Sequence, residues 1–115
     1  MMGIEGITSL RKGKKVEILP GIFRTTLSYN DTSMLCYFHL KGGAAIPLHK
    51  HEAVQNGFVI RGKVKFFKHE GKSAILEEGD GYIFGSNEAH GAEVLENTEL
   101  IECFTPMRPE YLDDD

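Results

Sequence analysis

The sequence predicts an all-β protein in which short antiparallel strands close into a barrel or sandwich. Three observations lead there. From about residue 16 onward, runs of four to eight residues rich in Val, Ile, Phe and Tyr recur between glycine-bearing turns. No window of comparable length carries a helical period. This many short strands in an open sheet would leave unpaired edges and one bare apolar face, so closure follows.

The candidate strands, in chain order, are 16–19, 22–28, 33–40, 45–50, 53–60, 63–69, 72–77, 81–84, 90–95 and 99–105. Gly71-Lys72 reads as a hairpin turn between its flanking strands, and Glu78-Gly79-Asp80-Gly81 as a wider one, so neighbouring strands are expected to pair. One short helical turn is the most that the first ten residues offer. A chain of 115 residues has room for one core. The expectation is therefore a single domain over 1–115, with a core barrel at about 33–106 and N-terminal strands at about 16–28. No internal repeat, linker or low-complexity segment interrupts it.

Composition narrows the class of partner. The chain is 41% hydrophobic and 26% charged, a globular balance, and its thirteen glycines favour turns over long helices. Seventeen acidic against thirteen basic residues leave a net charge of −4. The one basic cluster, Arg11, Lys12, Lys14 and Lys15, has no interleaved aromatic residue, so it reads as a solvated turn and not as a nucleic-acid surface. Asp113 to Asp115 reads as a frayed tail. No apolar run approaches the roughly 18 residues of a membrane span, and the N-terminus lacks a long apolar stretch. A cytoplasmic protein with no membrane partner is expected. There, Cys36 and Cys103 are expected to stay reduced rather than pair.

The histidines carry the functional signal. His49 and His51 lie two apart, which in a strand sends both imidazoles to one face, and Gln55 is the next polar residue able to join them. The local pattern is Gly43-x(5)-His49-x-His51-x(3)-Gln55-x(6)-Gly62. Sixteen residues separate Gly62 from a second pattern, Gly79-x(5)-Gly85-x-Asn87-x(2)-His90-x(3)-Val94.

These two patterns resemble the paired motifs of the cupin family, G-x(5)-H-x-H-x(3,4)-E-x(6)-G and G-x(5)-P-x-G-x(2)-H-x(3)-N. Gln55 stands in place of the glutamate, and Gly85, Asn87 and Val94 in place of proline, glycine and asparagine. The ending from Phe104 to Tyr111 is also similar to that of small bacterial cupins, so the likeness spans roughly Tyr37 to Leu112. It implies a cupin β-barrel, a double-stranded β-helix of jelly-roll type. It also implies one divalent metal per chain, zinc, iron, manganese or nickel, held by His49, His51 and His90 with Gln55 in the carboxylate position. Neutral imidazole suits such ions, and an amide oxygen is a weaker neutral donor. His39, His69 and Cys103 are assigned no role.

Alternation from Gln55 puts Gly57 and Val59 inside and Phe58 and Ile60 outside, with the small residue at 57 leaving room for substrate. Ala92 and Val94 should face inward from His90. Phe38, Tyr82, Phe84 and Phe104 are candidates for the apolar wall of the cup, or plain core. Phe58 and Ile60 outside, with an N-terminal strand near an open edge, predict a homodimer.

Cupin membership names no reaction, because the fold hosts many. The expected activity is Lewis-acid isomerase, cyclase or lyase chemistry on a small oxygenated, anionic metabolite. Dioxygenation and non-catalytic small-molecule binding are the alternatives, no catalytic residue is singled out, and a metal-free structural barrel is a third reading. With a neutral amide at 55 the ion would keep its full double charge and favour anionic oxygen donors.

Overall fold

The structure, a computed structural model, describes residues 8–112. Eight strands follow in order: β1 Lys15–Leu19, β2 Ile22–Tyr29, β3 Met34–Leu40, β4 Ala45–His49, β5 Val54–Lys68, β6 Ser73–Glu77, β7 Gly81–Phe84 and β8 His90–Thr105. All pairing is antiparallel. The short helical turn expected within the first ten residues falls largely on residues 1–7, outside the described residues, as does the acidic tail. Of the basic cluster, Arg11 and Lys12 lie in an exposed turn and Lys14 just beyond it, with the Gly13 N–H donating to the Ser9 carbonyl at 2.7 Å, while Lys15 is exposed at the start of β1.

The two long strands organise the barrel. The first half of β5 lies between β7 and the second half of β8, and its second half lies between β6 and the first half of β8. β8 in turn takes β3 beside its second half and β4 beside its first. Two sheets, β1-β2-β3-β8-β5-β7 and β4-β8-β5-β6, therefore share β5 and β8, which bend from one sheet into the other. The result is the jelly-roll barrel the motifs imply.

Where the sequence suggests strands at 53–60 and 63–69, and again at 90–95 and 99–105, the chain makes one continuous strand each time. The interruptions are bulges, not turns. Register shifts in β5 fall between Val59 and Val64, around Gly62, whose φ of 106° is open to glycine and strained for other residues. The opposing Thr98 is fully buried, and its hydroxyl serves both the Lys63 N–H at 3.1 Å and the Glu96 carbonyl at 2.8 Å. That side chain thus partners backbone groups on both sides of the bulge.

Consecutive strands pair as expected at β1–β2, β2–β3 and β5–β6, whereas β3 and β4, β4 and β5, and β7 and β8 do not pair, and neither do β6 and β7. Both lie along β5, joined by the wide turn at 78–80. The β5–β6 turn centres on Glu70 and Gly71, both at positive φ, one residue earlier than the glycine-lysine pair suggests.

Alternation sorts the faces as predicted. Val59, Ala92 and Val94 are buried, while Phe58 and Ile60 are 47% and 37% exposed. The core gathers Ile22, Met34, Leu40, Val64, Leu100 and Phe104 between the sheets. Each such side chain contributes about 1.5–3 kcal/mol by leaving water. Cys36 is buried and free, and Cys103 sits on the opposite face of the sheet, also free, so the two thiols do not meet.

Candidate metal centre

Three of the five histidines converge at one end of the barrel, and their ligand atoms lie within 4.8 Å of one another. His49 is the last residue of β4 and pairs directly with His90, the first of β8. His51 lies just beyond β4, in the bend before β5, and not in a strand as simple alternation implies. That bend is pinned by the Asn87 N–H, which donates to the His51 carbonyl at 2.7 Å. Asn87 has a φ of 58°. The residue that replaces the family glycine is thus one of the few that enter the left-handed region readily, so this departure from the motif keeps the backbone.

Every ring is oriented by its own backbone. Nδ1 of His49, His51 and His90 meets the carbonyls of Pro47, Ala53 and Glu88 at 2.9, 2.8 and 2.8 Å. A carbonyl accepts only, so each Nδ1 donates, which in the neutral ring leaves the Nε2 lone pair free. Phe84 stacks flat on His90, with centroids 4.3 Å apart, and fixes that ring further.

Gln55 is buried among them. Its Nε2 donates to Glu102 Oε2 at 2.6 Å, which turns its Oε1 toward the histidines, 3.0 Å from His51 Nε2 and 3.1 Å from His90 Nε2. Acceptor lone pairs therefore face one another. A proton is a poor substitute for a cation here, because burial holds His90 down to about 4. His51 also lies below its ordinary value, through burial first and the Arg108 charge second. Three imidazoles and one amide oxygen thus converge, donor types that divalent ions accept.

The other two histidines are elsewhere. His39 packs on Phe23 with centroids 6.0 Å apart, and His69 is exposed beside Glu70.

A cavity of about 400 Å³ opens from the centre into the barrel. His49, Gln55 and His90 line its polar end, Phe38 and Phe104 its wall, and Ile22 and Leu40 its apolar depth. Phe84 and Tyr82 lie outside that lining. Gly57 does not leave space for substrate, because the ring of Tyr82 occupies it: a Cβ on Gly57 would stand 2.6 Å from Tyr82 Cε2.

Two cavity residues escaped the sequence reading. Glu102 is buried and takes hydrogen bonds from Gln55 and from the Tyr82 hydroxyl, both on Oε2. Burial pushes its carboxyl up to about 7, while Tyr82, Gln55 and Arg108 pull the other way. Alternation with Leu100 and Phe104 places Glu102 on the inner face, and an acid on an apolar face was the signal that could have found it. Arg108 lies against the rings of Phe104 and Tyr111, 5.1 and 4.3 Å from their centroids, and its Nε is buried with no hydrogen-bond partner among the described residues. Among the described residues that line the cavity, Glu102 is the one carboxylate and Arg108 the one guanidinium or ammonium group.

Residues 36–102, more than half of the chain, match the cupin domain family. The chain belongs to the cupin family. Among curated proteins, this cupin is 35% identical over 98 residues to the pectin degradation protein KdgF of Dickeya dadantii, covering 84% of this chain and 88% of that protein. Among solved structures, KdgF from a Halomonas species superposes with a TM-score of 0.85 at 26% identity, covering 95% of this chain and all of that one. An RmlC-like cupin from Shewanella frigidimarina superposes at 0.87 with 24% identity, covering 95% and 97% of the two chains. The latter likeness speaks for the fold alone.

Proposed function

We propose that this cupin is a metal-dependent enzyme that acts on a small carboxylated sugar of the kind released from pectin, by isomerisation, cyclisation or elimination. One observation carries the reading. A cluster of converging acceptors, His49, His51, His90 and Gln55, opens on a cavity that also holds one acid, Glu102, and one fixed cation, Arg108. The similarity to proteins named for pectin degradation supports the substrate class.

The roles follow from chemistry. A divalent ion at the four acceptors would supply Lewis acidity to a substrate oxygen. Arg108, close to two aromatic rings and paired through Nη2 with Glu110 at 3.2 Å, would draw the sugar carboxylate by its charge, the only guanidinium or ammonium charge on the cavity wall among the described residues. Glu102 lines the same space and would give or take a proton beside the substrate oxygen. No electron donor or oxidant is needed for any of the three reaction types.

The test is turnover. Protein loaded with zinc, manganese or nickel is incubated with the acidic sugars of an enzymatic pectin digest, in air and under nitrogen, and followed by NMR. The expected result is conversion that stops after chelation and is the same in both atmospheres. Conversion only in air would mean dioxygenation. Sugars recovered unchanged after long incubation would overturn the enzymatic reading and leave a binding protein.

A further inference from the structure

Gln55 is the ambiguous donor of the centre, since a half-turn of its amide would present N–H groups to the ion instead of an oxygen. Something must choose between the two ends. The chain that does so runs across three strands. Gly57 of β5 is paired with Tyr82 of β7 on one side and with Glu102 of β8 on the other, so these three residues form one row on the inner face. Strands two apart are separated by about 9.5 Å, too far for Tyr82 and Glu102 to meet across a side chain standing between them. At Gly57 nothing stands between them. The ring of Tyr82 lies over the glycine and its hydroxyl donates to Glu102 Oε2. The phenol is pushed well above its ordinary value by burial and by the charge of Glu102, so it remains a donor. The same Oε2 accepts the Gln55 amide at 2.6 Å.

We propose that Tyr82 is a positioning residue for the metal centre: by holding Glu102 it locks the Gln55 amide with its oxygen toward the three imidazoles, and Gly57 is the residue that makes room for it. This inference rests on the reading of the centre as a metal site. Packing alone does not account for it. Phe66 and Phe84 lie 4.5 and 5.8 Å from the Tyr82 ring and would fill the same apolar role around a phenylalanine. The hydroxyl and the empty position opposite it are what a core ring would not need.

The experiment loads cobalt(II) into wild type, Tyr82→Phe and Gly57→Ala. Affinity is read by competition with a chromophoric chelator, and the donor set by the visible absorption of the bound ion. The expected result is a cobalt affinity lowered about 10- to 100-fold in both variants, the usual scale for groups that orient metal ligands, with an altered absorption envelope. Tyr82→Phe keeps the ring, so it tests the hydroxyl even if Gly57→Ala fails to fold. Wild-type affinity and spectrum in a folded Tyr82→Phe would overturn the positioning role while leaving the metal site standing. Failure of wild type itself to take up one cobalt per chain would overturn the metal reading, and this inference with it.

Discussion

Gly62 closes the first motif, and its replacement by alanine should cost more stability than any other motif glycine. At a φ of 106° an L side chain is strained by about 1–3 kcal/mol. A Cβ there would also stand 2.5 Å from the Cα and Oγ1 of Thr98 and against the Asn97 carbonyl, which are parts of the neighbouring strand. Backbone cannot yield as the end of a flexible side chain can, so overpacking adds roughly 1–3 kcal/mol. The total, about 2–6 kcal/mol, is a large share of the 5–15 kcal/mol typical of a domain.

Gly43 supplies the control. Its φ is 91°, yet a Cβ there meets nothing within 4 Å, so Gly43→Ala carries only the strain of about 1–3 kcal/mol. The gain from stiffening the unfolded chain is common to both variants and cancels in the difference. Urea denaturation of both against wild type should therefore place Gly62→Ala well below Gly43→Ala. In melting temperature, at roughly 4 °C per kcal/mol for a chain of this size, the gap should be several degrees. Equal costs would refute the reasoning, because they would mean that β8 does not press on Gly62.

His51→Ala should lose most of its metal by elemental analysis, since only two imidazoles and an amide remain; full retention would place the ion elsewhere. Cys36 is pushed up to about 11 by burial, so its thiol stays protonated until the pH nears that value. At pH 8 only about one part in a thousand is thiolate, and iodoacetamide should modify Cys103 and spare Cys36 in the native protein. Equal labelling would contradict that placement. Phe58, Ile60 and Ile83 stand exposed on one outer face, and we expect this face to bury itself against a second copy, giving twice 12.8 kDa by light scattering. Phe58→Asp with Ile60→Asp should then be a monomer; a monomeric wild type at micromolar concentration would end the idea.

What the sequence revealed depended on whether the signal was local. The spacing of His49, His51 and His90 is written in the chain and survives small errors in strand bounds. Strand continuity is not local. Gly62 and Asn97-Thr98 fall in the gaps between the strands read from sequence, because nothing nearby says that each lies against the other across a bend. Gly57 misled for the same reason: a glycine facing inward leaves a space, but which residue fills it depends on Tyr82, 25 positions later. Arg108 belongs to the terminal segment, and only its return over Phe104 brings it to the cavity.

Glu102 changes the electrostatic expectation for the centre. An amide at position 55 does leave the immediate donors neutral, but an acid sits one hydrogen bond behind it, so the ion would not act as an uncompensated double charge. The carboxylate of the family pattern has in effect moved back one residue, with Gln55 between it and the site. Gln55→Glu is then no simple return to the family arrangement, because it sets two carboxylates face to face where a donor and an acceptor now meet at 2.6 Å. Gln55→Glu should destabilise the chelated protein, and adding Glu102→Gln should recover much of the loss by restoring one donor and one acceptor. A double-mutant cycle read by urea denaturation in EDTA should show a favourable coupling of about 1–3 kcal/mol. Effects that add to within about 0.5 kcal/mol would mean that the two residues do not act as a pair.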